Sequence, residues 1–334
     1  SDNDGRGEIP RPVCKSGGRG RRGMSGDALV FYSLVDDASA WREALQKELP
    51  DLDVRAYPDV GDPGDIGFAL VWLPPKGFFQ RFPNLKLVTN LGAGVDALVR
   101  RDDLVPVKFS RLSDTGMVDM MTSYIVCTVT RYARDMHTFE RAKRRGEWEY
   151  VHPRALSEIK VGVLGLGELG APAAAMLARM GYAVSGWSRT EKTIDNVRSL
   201  TGREGLETIL SESEILVSLL PLTPDSRAVL GAEELALMPK GAKFINASRA
   251  AVVDEAALIV ALTSGAIGEA TLDVFNVEPL PSDHPFWTME NVFITPHMAS
   301  ITVPALAARD VAESIRRVRA GQAPLHEIDP VRGY

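Results

Sequence analysis

At 334 residues the chain is longer than one compact core usually accommodates, so two domains are expected. Hydrophobic content of 45% and charged content of 25% are those of an ordinary globular protein, and no apolar run is long enough to cross a membrane. A formal charge of −6 argues against nucleic acid as a partner, and two cysteines, Cys14 and Cys127, cannot build a disulfide framework, which points to a reducing, cytoplasmic compartment.

Residues 1–24 stand apart. Arg6, Arg11, Lys15, Arg19, Arg21 and Arg22 face Asp2, Asp4 and Glu8, a local charge of +3, and without them the chain would carry −9. The segment is Gly-rich with almost no large apolar residue, so it reads as a disordered extension. It has no hydrophobic signal region. Met24 reads as a native start, which would make the rest an added leader; a basic arm for nucleic acid is the alternative.

Next come alternating strands and helices, the pattern of a doubly wound parallel sheet. Ala28–Leu34 reads as a strand and Ser39–Leu49 as a helix with Trp41, Ala44, Leu45 and Leu49 on its apolar face. Leu52–Ala56, Ile66–Leu73 and Leu85–Leu91 are further short strands. Pro74-Pro75 ends the third of the four, and Gly92-Ala93-Gly94 turns the fourth toward a helix. This first unit has a flavodoxin-like pattern without a dinucleotide fingerprint.

Met117–Glu140 reads as one long helix, apolar on nearly every side and so buried on more than one, with Cys127 a small core residue. A second alternating unit follows. Strands are expected at Lys160–Leu164, Ala183–Trp187, Ile215–Leu220, Ala242–Asn246, Ile267–Asp273 and Val292–Thr295. Helices fall at Glu168–Met180, Glu233–Met238 and Asp254–Thr263, and the last, Thr302–Ala320, stops before Gly321 and Pro324.

Between the first strand and helix of that second unit lies Gly165-Leu166-Gly167-Glu168-Leu169-Gly170. A GxGxxG alone is weak, but here an apolar strand enters it and an amphipathic helix leaves. Gly165 allows the turn, Gly167 lets a pyrophosphate approach the backbone, and Gly170 lets helix and strand pack closely. The next strand ends in Trp187-Ser188-Arg189-Thr190, with Lys192 nearby. An NAD site would place a carboxylate there; Arg189 suits a 2′-phosphate instead, and NADPH is expected over NADH. Arg189 as a plain surface charge is the alternative, and Glu191 would take the ribose role if the loop were shifted.

Three polar residues follow strand ends. His297, after Thr295-Pro296, suits a proton donor to a carbonyl as hydride arrives, against a satisfied strand-end histidine. Glu278 could bond one ring nitrogen and favour the imidazolium, against a turn carboxylate. Arg249 could grip a substrate carboxylate and polarise the adjacent carbonyl. No cluster has metal-ligand spacing and no GxSxG nucleophile context appears.

The phrases Asn246-Ala247-Ser248-Arg249, Leu272-Asp273-Val274-Phe275-Asn276-Val277-Glu278-Pro279 and Thr295-Pro296-His297 resemble the D-2-hydroxyacid dehydrogenase family. Over nearly all the chain after residue 25 the resemblance is closest to its NADP-dependent glyoxylate/hydroxypyruvate reductase branch. It implies two doubly wound α/β domains: a flavodoxin-like substrate domain (25–114 with 299–334) and a Rossmann cofactor domain (115–298), with the active site in the cleft between them. It implies that Leu220, Pro221, Ala247, Ser248 and Asp273 join the cofactor site, although Asp273 could equally cap the next turn. Ala93 and Gly94 would donate to the substrate carboxylate, from a Gly-rich turn that forms an anion nest. Trp72 would wall the pocket, with core packing as likely. The resemblance also implies a homodimer through the helix and arm of residues 117–150, which include Trp148. Ala250 stands where the family usually has Gly, a cost if that turn needs positive φ. The rival readings are an NAD-linked dehydrogenase of another D-2-hydroxy acid and a dinucleotide-sensing binding protein of corepressor type.

Overall fold

The computed structural model describes residues 26–113 and 115–329; the basic segment 1–24 lies outside them. The described residues divide into two units, one of 26–116 with 302–329 and the other Met117–Ile301.

The first unit holds β1 (Ala28–Tyr32), α1 (Ala38–Glu48), β2 (Val54–Ala56), β3 (Ile66–Val71), β4 (Leu87–Asn90), α2 (Asp96–Val99) and β5 (Lys108–Arg111). The second opens with α3, whose span Thr115–Ala133 begins just before the unit boundary, and continues with α4 (Met136–Arg145), β6 (Lys160–Leu164), α5 (Gly170–Met180), β7 (Ala183–Trp187), β8 (Val197–Leu200), α6 (Gly202–Glu212), β9 (Ile215–Ser218), α7 (Ala232–Leu237), β10 (Ala242–Asn246), α8 (Glu255–Ser264), β11 (Ile267–Leu272) and β12 (Val292–Ile294). The chain then returns to the first unit as α9 (Pro304–Arg319) and β13 (Glu327–Ile328).

The first sheet runs β13-β5-β4-β3-β1-β2, parallel except for β13 at the edge. Every residue of β3, Ile-Gly-Phe-Ala-Leu-Val, is buried, as a central strand covered on both faces requires. Asp37 caps α1 by accepting from Ser39 N–H, and Trp41 and Leu45 turn inward. β1 stops two residues earlier than its apolar run suggested. Leu34 and Val35 are 84% and 80% exposed, because Ser33 and Asp36 close a turn through a 2.6 Å hydrogen bond.

The second sheet is all parallel, β12-β11-β10-β9-β6-β7-β8. Period-two alternation splits its side chains between two cores. Val161, Val163, Val217 and Ile245 pack on one face with α3 and α5; Leu164, Leu216 and Phe244 pack on the other with α6, α7 and α8. Chain order reverses at β6, with β7 on one side and β9 on the other, and in such sheets ligands bind outside the carboxyl ends at that point.

Two expectations are corrected. The helix read as continuous over Met117–Glu140 breaks at Asp135, which is left-handed (φ 53) and separates α3 from α4. Aspartate tolerates that conformation better than most residues. Cys127 is exposed rather than core: the buried stripe of α3 is Met117, Met121, Ile125, Val129 and Tyr132, and Asp119, Ser123 and Cys127 form the exposed one. Strands β5, β8 and β13 and helix α6 had no clear signature in the sequence.

Candidate active site

The glycine loop sits where β6 ends. Gly165 has φ +97, and a Cβ there would lie 2.6 Å from the Leu219 carbonyl oxygen. At Gly170 the added atom would lie 1.8 Å from the Gly165 carbonyl oxygen. The turn and the close packing of α5 on β6 thus require both glycines. Gly167 differs, with nothing within 4 Å of where its Cβ would stand. That opening beside the start of α5, where no side chain caps the helix, is the room a pyrophosphate needs. Leu166 is buried against Gly186, Leu169 is half-buried, and Glu168 is exposed.

At the end of β7, Trp187 Nε1 donates to the Gly202 carbonyl (2.8 Å) and Ser188 Oγ to the Thr190 carbonyl (2.7 Å). Lys192 N–H donates to Ser199 Oγ on β8 (3.0 Å). Arg189, Thr190, Glu191 and Lys192 are all exposed along this loop. Leu220, just beyond β9, is buried, while Pro221 is exposed and its carbonyl accepts from Ser226 Oγ (2.5 Å).

β10 delivers Arg249 through a buried amide. Asn246, 1% exposed, accepts from Ser248 N–H (3.2 Å) and Ser248 Oγ (3.0 Å), and donates to the Arg249 carbonyl (3.1 Å). Ala247 is buried, and Arg249 Nη1 donates to the Ser248 carbonyl (2.8 Å). Ala250 opens a single helical turn and is not among the residues of positive φ, so alanine costs nothing there.

β11 delivers Asp273 and Glu278. Asp273 is 1% exposed. Its Oδ1 accepts from Thr295 Oγ1 (2.5 Å) and Met298 N–H (2.8 Å), its Oδ2 from Ala299 N–H (2.9 Å), and its carbonyl from His297 N–H (2.8 Å). Tyr124 of α3 shares a 2.7 Å hydrogen bond with Thr295 Oγ1. Asp273 therefore binds the segment that carries His297. No role is assigned to Tyr124 or Thr295 from the sequence; their link spans α3 and the residues after β12, and no local pattern reports it.

His297 Nδ1 and Glu278 Oε2 lie 2.7 Å apart, which leaves Nε2 for another partner. Glu278 Oε1 accepts from Phe275 N–H (2.9 Å). Burial pushes the Glu278 carboxyl up. The hydrogen bonds from His297 and Phe275 N–H, with the charges of His297 and Arg249, outweigh it and hold the group below the usual carboxylate range. Arg249, Glu278 and His297 are thus brought together at the carboxyl ends of β10, β11 and β12. The pair can hold a proton on imidazole beside a guanidinium suited to an anion.

In the other unit, Trp72, Ala93 and Gly94 gather at the carboxyl ends of β3 and β4. Trp72 is half-buried, and its ring edge stands 3.0 Å from where a Gly92 Cβ would be, so it lies over the glycine turn.

Residues 126–299 match the model of the D-isomer specific 2-hydroxyacid dehydrogenase NAD-binding domain. Glyoxylate/hydroxypyruvate reductase A of Yersinia enterocolitica is 38% identical over 312 residues, 92% of this chain and 99% of that protein. The chain belongs to the D-isomer specific 2-hydroxyacid dehydrogenase family. Among solved structures, a D-isomer specific 2-hydroxyacid dehydrogenase of Xanthobacter autotrophicus Py2 in complex with NADPH and MES superposes with a TM-score of 0.89. It is 58% identical, over 93% of this chain and all of that one. The NADPH-dependent glyoxylate/hydroxypyruvate reductase of Sinorhizobium meliloti, in complex with NADP and sulfate, superposes at 0.86 with 32% identity, over 92% of this chain and all of that one.

Proposed function

We propose that this enzyme reduces small 2-oxo acids, glyoxylate and hydroxypyruvate foremost, to 2-hydroxy acids with NADPH. The observation that carries the reading is the 2.7 Å pair of His297 Nδ1 and Glu278 Oε2, which orients Nε2 as a proton donor within reach of the Arg249 charge. Membership of the family and the named activity of the Yersinia and Sinorhizobium relatives support it.

The Gly165–Gly170 loop and the start of α5 would hold the pyrophosphate, with Leu220, Pro221, Ala247 and Ser248 along the same strand ends. Trp187, Ser188, Arg189, Thr190 and Lys192 would hold the adenosine end, where Arg189 grips the 2′-phosphate. NADPH held there would supply hydride for the carbonyl carbon. Arg249 orients the substrate carboxylate and draws charge toward the carbonyl oxygen. The N–H groups of Ala93 and Gly94 receive a carboxylate, and Trp72, over the same turn, limits what side chain fits. His297 Nε2 gives its proton to the oxygen as the C–O bond becomes single, and Glu278 holds the ring in place through Nδ1. Solvent then restores the proton.

The chain is further proposed to act in the cytoplasm as a homodimer through residues 117–150. No helix of the described residues is long and apolar enough to cross a membrane. Within 117–150, Trp148 is 99% and Tyr150 75% exposed. Turnover measured with NADPH and with NADH over a panel of 2-oxo acids tests the reading. Rapid reduction of glyoxylate with NADPH is expected. A clear preference for NADH would make the chain an NAD-linked dehydrogenase, and cofactor binding without turnover would make it a dinucleotide sensor.

A further inference from the structure

The turn after β4 has an unusual feature: each of four successive carbonyls is taken by a side chain. Thr302 Oγ1 donates to the Leu91 carbonyl (2.7 Å) and Arg111 Nη1 to the Ala93 carbonyl (3.3 Å). The remaining two belong to one residue. Asn90 Nδ2 donates to the Gly92 carbonyl (2.9 Å) and to the Gly94 carbonyl (3.0 Å), spending both amide hydrogens. Asn90 is 4% exposed at the end of β4, where register with Val71 on β3 and Arg111 on β5 fixes its backbone.

A trans peptide is planar, so a carbonyl and the N–H of the next residue point in opposite directions. Neither cis bond of the described residues is in this turn. Holding each carbonyl therefore fixes the N–H opposed to it: Thr302 fixes that of Gly92, Asn90 those of Ala93 and Val95, and Arg111 that of Gly94. Among the described residues no hydrogen-bond acceptor takes the N–H of Gly92, Ala93 or Gly94. Several backbone N–H groups aimed the same way recognise an anion without any side-chain charge.

We infer that Asn90 is a positioning residue for the substrate carboxylate: through the Gly92 carbonyl it sets the direction of the Ala93 N–H, and it holds the peptides on either side of the one that carries the Gly94 N–H, without touching the substrate. This rests on the proposed reading, in which those groups receive the carboxylate. Asparagine is the residue the task demands. Aspartate has the same shape but only acceptors, and would turn lone pairs and a negative charge on two carbonyls and on the nest behind them.

The test measures KM for glyoxylate, inhibition by oxalate, NADPH affinity and melting temperature in Asn90→Ala and Asn90→Asp. Asn90→Ala should raise KM and the oxalate inhibition constant together by about tenfold, with kcat and NADPH affinity little changed. Asn90→Asp should raise both further. Unchanged KM and oxalate inhibition overturn the inference. So does an equal loss of NADPH affinity and substrate affinity with a fall in melting temperature, the mark of a purely structural role. Should neither variant fold, Asn90→Ser, which keeps a small polar side chain but cannot cap both carbonyls, takes their place. It should raise KM by about threefold, and an unchanged KM overturns the inference. A wild-type enzyme that reduces no 2-oxo acid fails the functional reading before any variant is made, so the two failures are distinct.

Discussion

His297 is held at φ 54, a left-handed conformation that costs a bulky residue about 1–3 kcal/mol and persists only where its surroundings impose it. Asp273 imposes it. Its carbonyl takes the His297 N–H, and its carboxylate takes the next two N–H groups, so the strained residue is pinned from both sides. Glu278 then fixes the ring. Removing the imidazole should remove the proton donor and little else, so His297→Ala should lower kcat by about 10²–10⁴-fold while NADPH affinity is unchanged. Near-normal turnover would take His297 out of the mechanism. Because Glu278 is held below the usual carboxylate range, it is already ionised at neutral pH. Reduction consumes a proton and oxidation of the hydroxy acid releases one, so the two directions should show opposite pH limbs, and identical profiles would contradict the assignment. Arg189 is the other residue on which the reading depends. If it grips the 2′-phosphate, Arg189→Ala removes charge-assisted hydrogen bonds of about 1.5–3 kcal/mol, a loss of about 10- to 150-fold in NADPH affinity. NADH lacks the phosphate and should bind as before. Equal losses for both cofactors would make Arg189 a support of the loop, and a wild-type preference for NADH would hand the ribose to Glu191.

At the scale of elements, the glycine loop separates two reasons for the same residue type. Gly170→Ala must collide with the Gly165 carbonyl, so it should unfold the β6–α5 junction. Gly167→Ala meets nothing within 4 Å, so melting temperature should hold while the added methyl occupies space meant for phosphate. A crowding cost of about 1–3 kcal/mol corresponds to about 5- to 140-fold weaker NADPH binding. Equal binding by wild type and Gly167→Ala in a titration would move the pyrophosphate elsewhere. Much of this site was legible in sequence because its signals are local. Gly165–Gly170 lies between an apolar strand and a helix, and Arg249, Glu278 and His297 each follow a short strand within a distinctive phrase. The strands β6, β9, β10 and β11 read clearly for the same reason, as buried apolar runs. β5 and β8 did not. Lys-Phe-Ser-Arg and Val-Arg-Ser-Leu are mostly polar, and they are strands only because β4 and β7 offer them edges to pair with. The break at Asp135 was hidden by an apolar pattern that continues across it. Asn90, Tyr124 and Thr295 were hidden for a further reason: their partners are set by sheet register and by the return of the chain, which no local window contains.

For the whole molecule, the segment 117–150 raises the question of what covers it. One stripe of α3 is spent on the core beneath β6, β9 and β10, through Met121, Ile125, Val129 and Tyr132. Outward lie Asp119, Ser123 and Cys127 on α3, Met136 at 44% exposure with the charged residues Glu140, Lys143, Arg144 and Arg145 on α4, and then Trp148 and Tyr150 among Glu147 and Glu149 in the stretch after α4. Small residues on a helix permit another backbone to approach closely, and exposed aromatics supply the large anchors that stable interfaces favour. A single tryptophan at 99% exposure leaves most of its apolar surface in water, and burying it against a second copy recovers the hydrophobic contribution of a large side chain. The chain should therefore run in light-scattering chromatography at twice the mass of one chain. Trp148→Ala should weaken that association, by about 2 kcal/mol or more if the ring is a central anchor, which is roughly thirtyfold in the dissociation constant. Cys127→Arg tests the helix face independently, since an exposed position tolerates the side chain in the monomer while a close helix–helix approach does not. A wild-type chain that remains monomeric at micromolar concentration would refute the dimer, and a dimer untouched by both substitutions would place its interface outside residues 117–150.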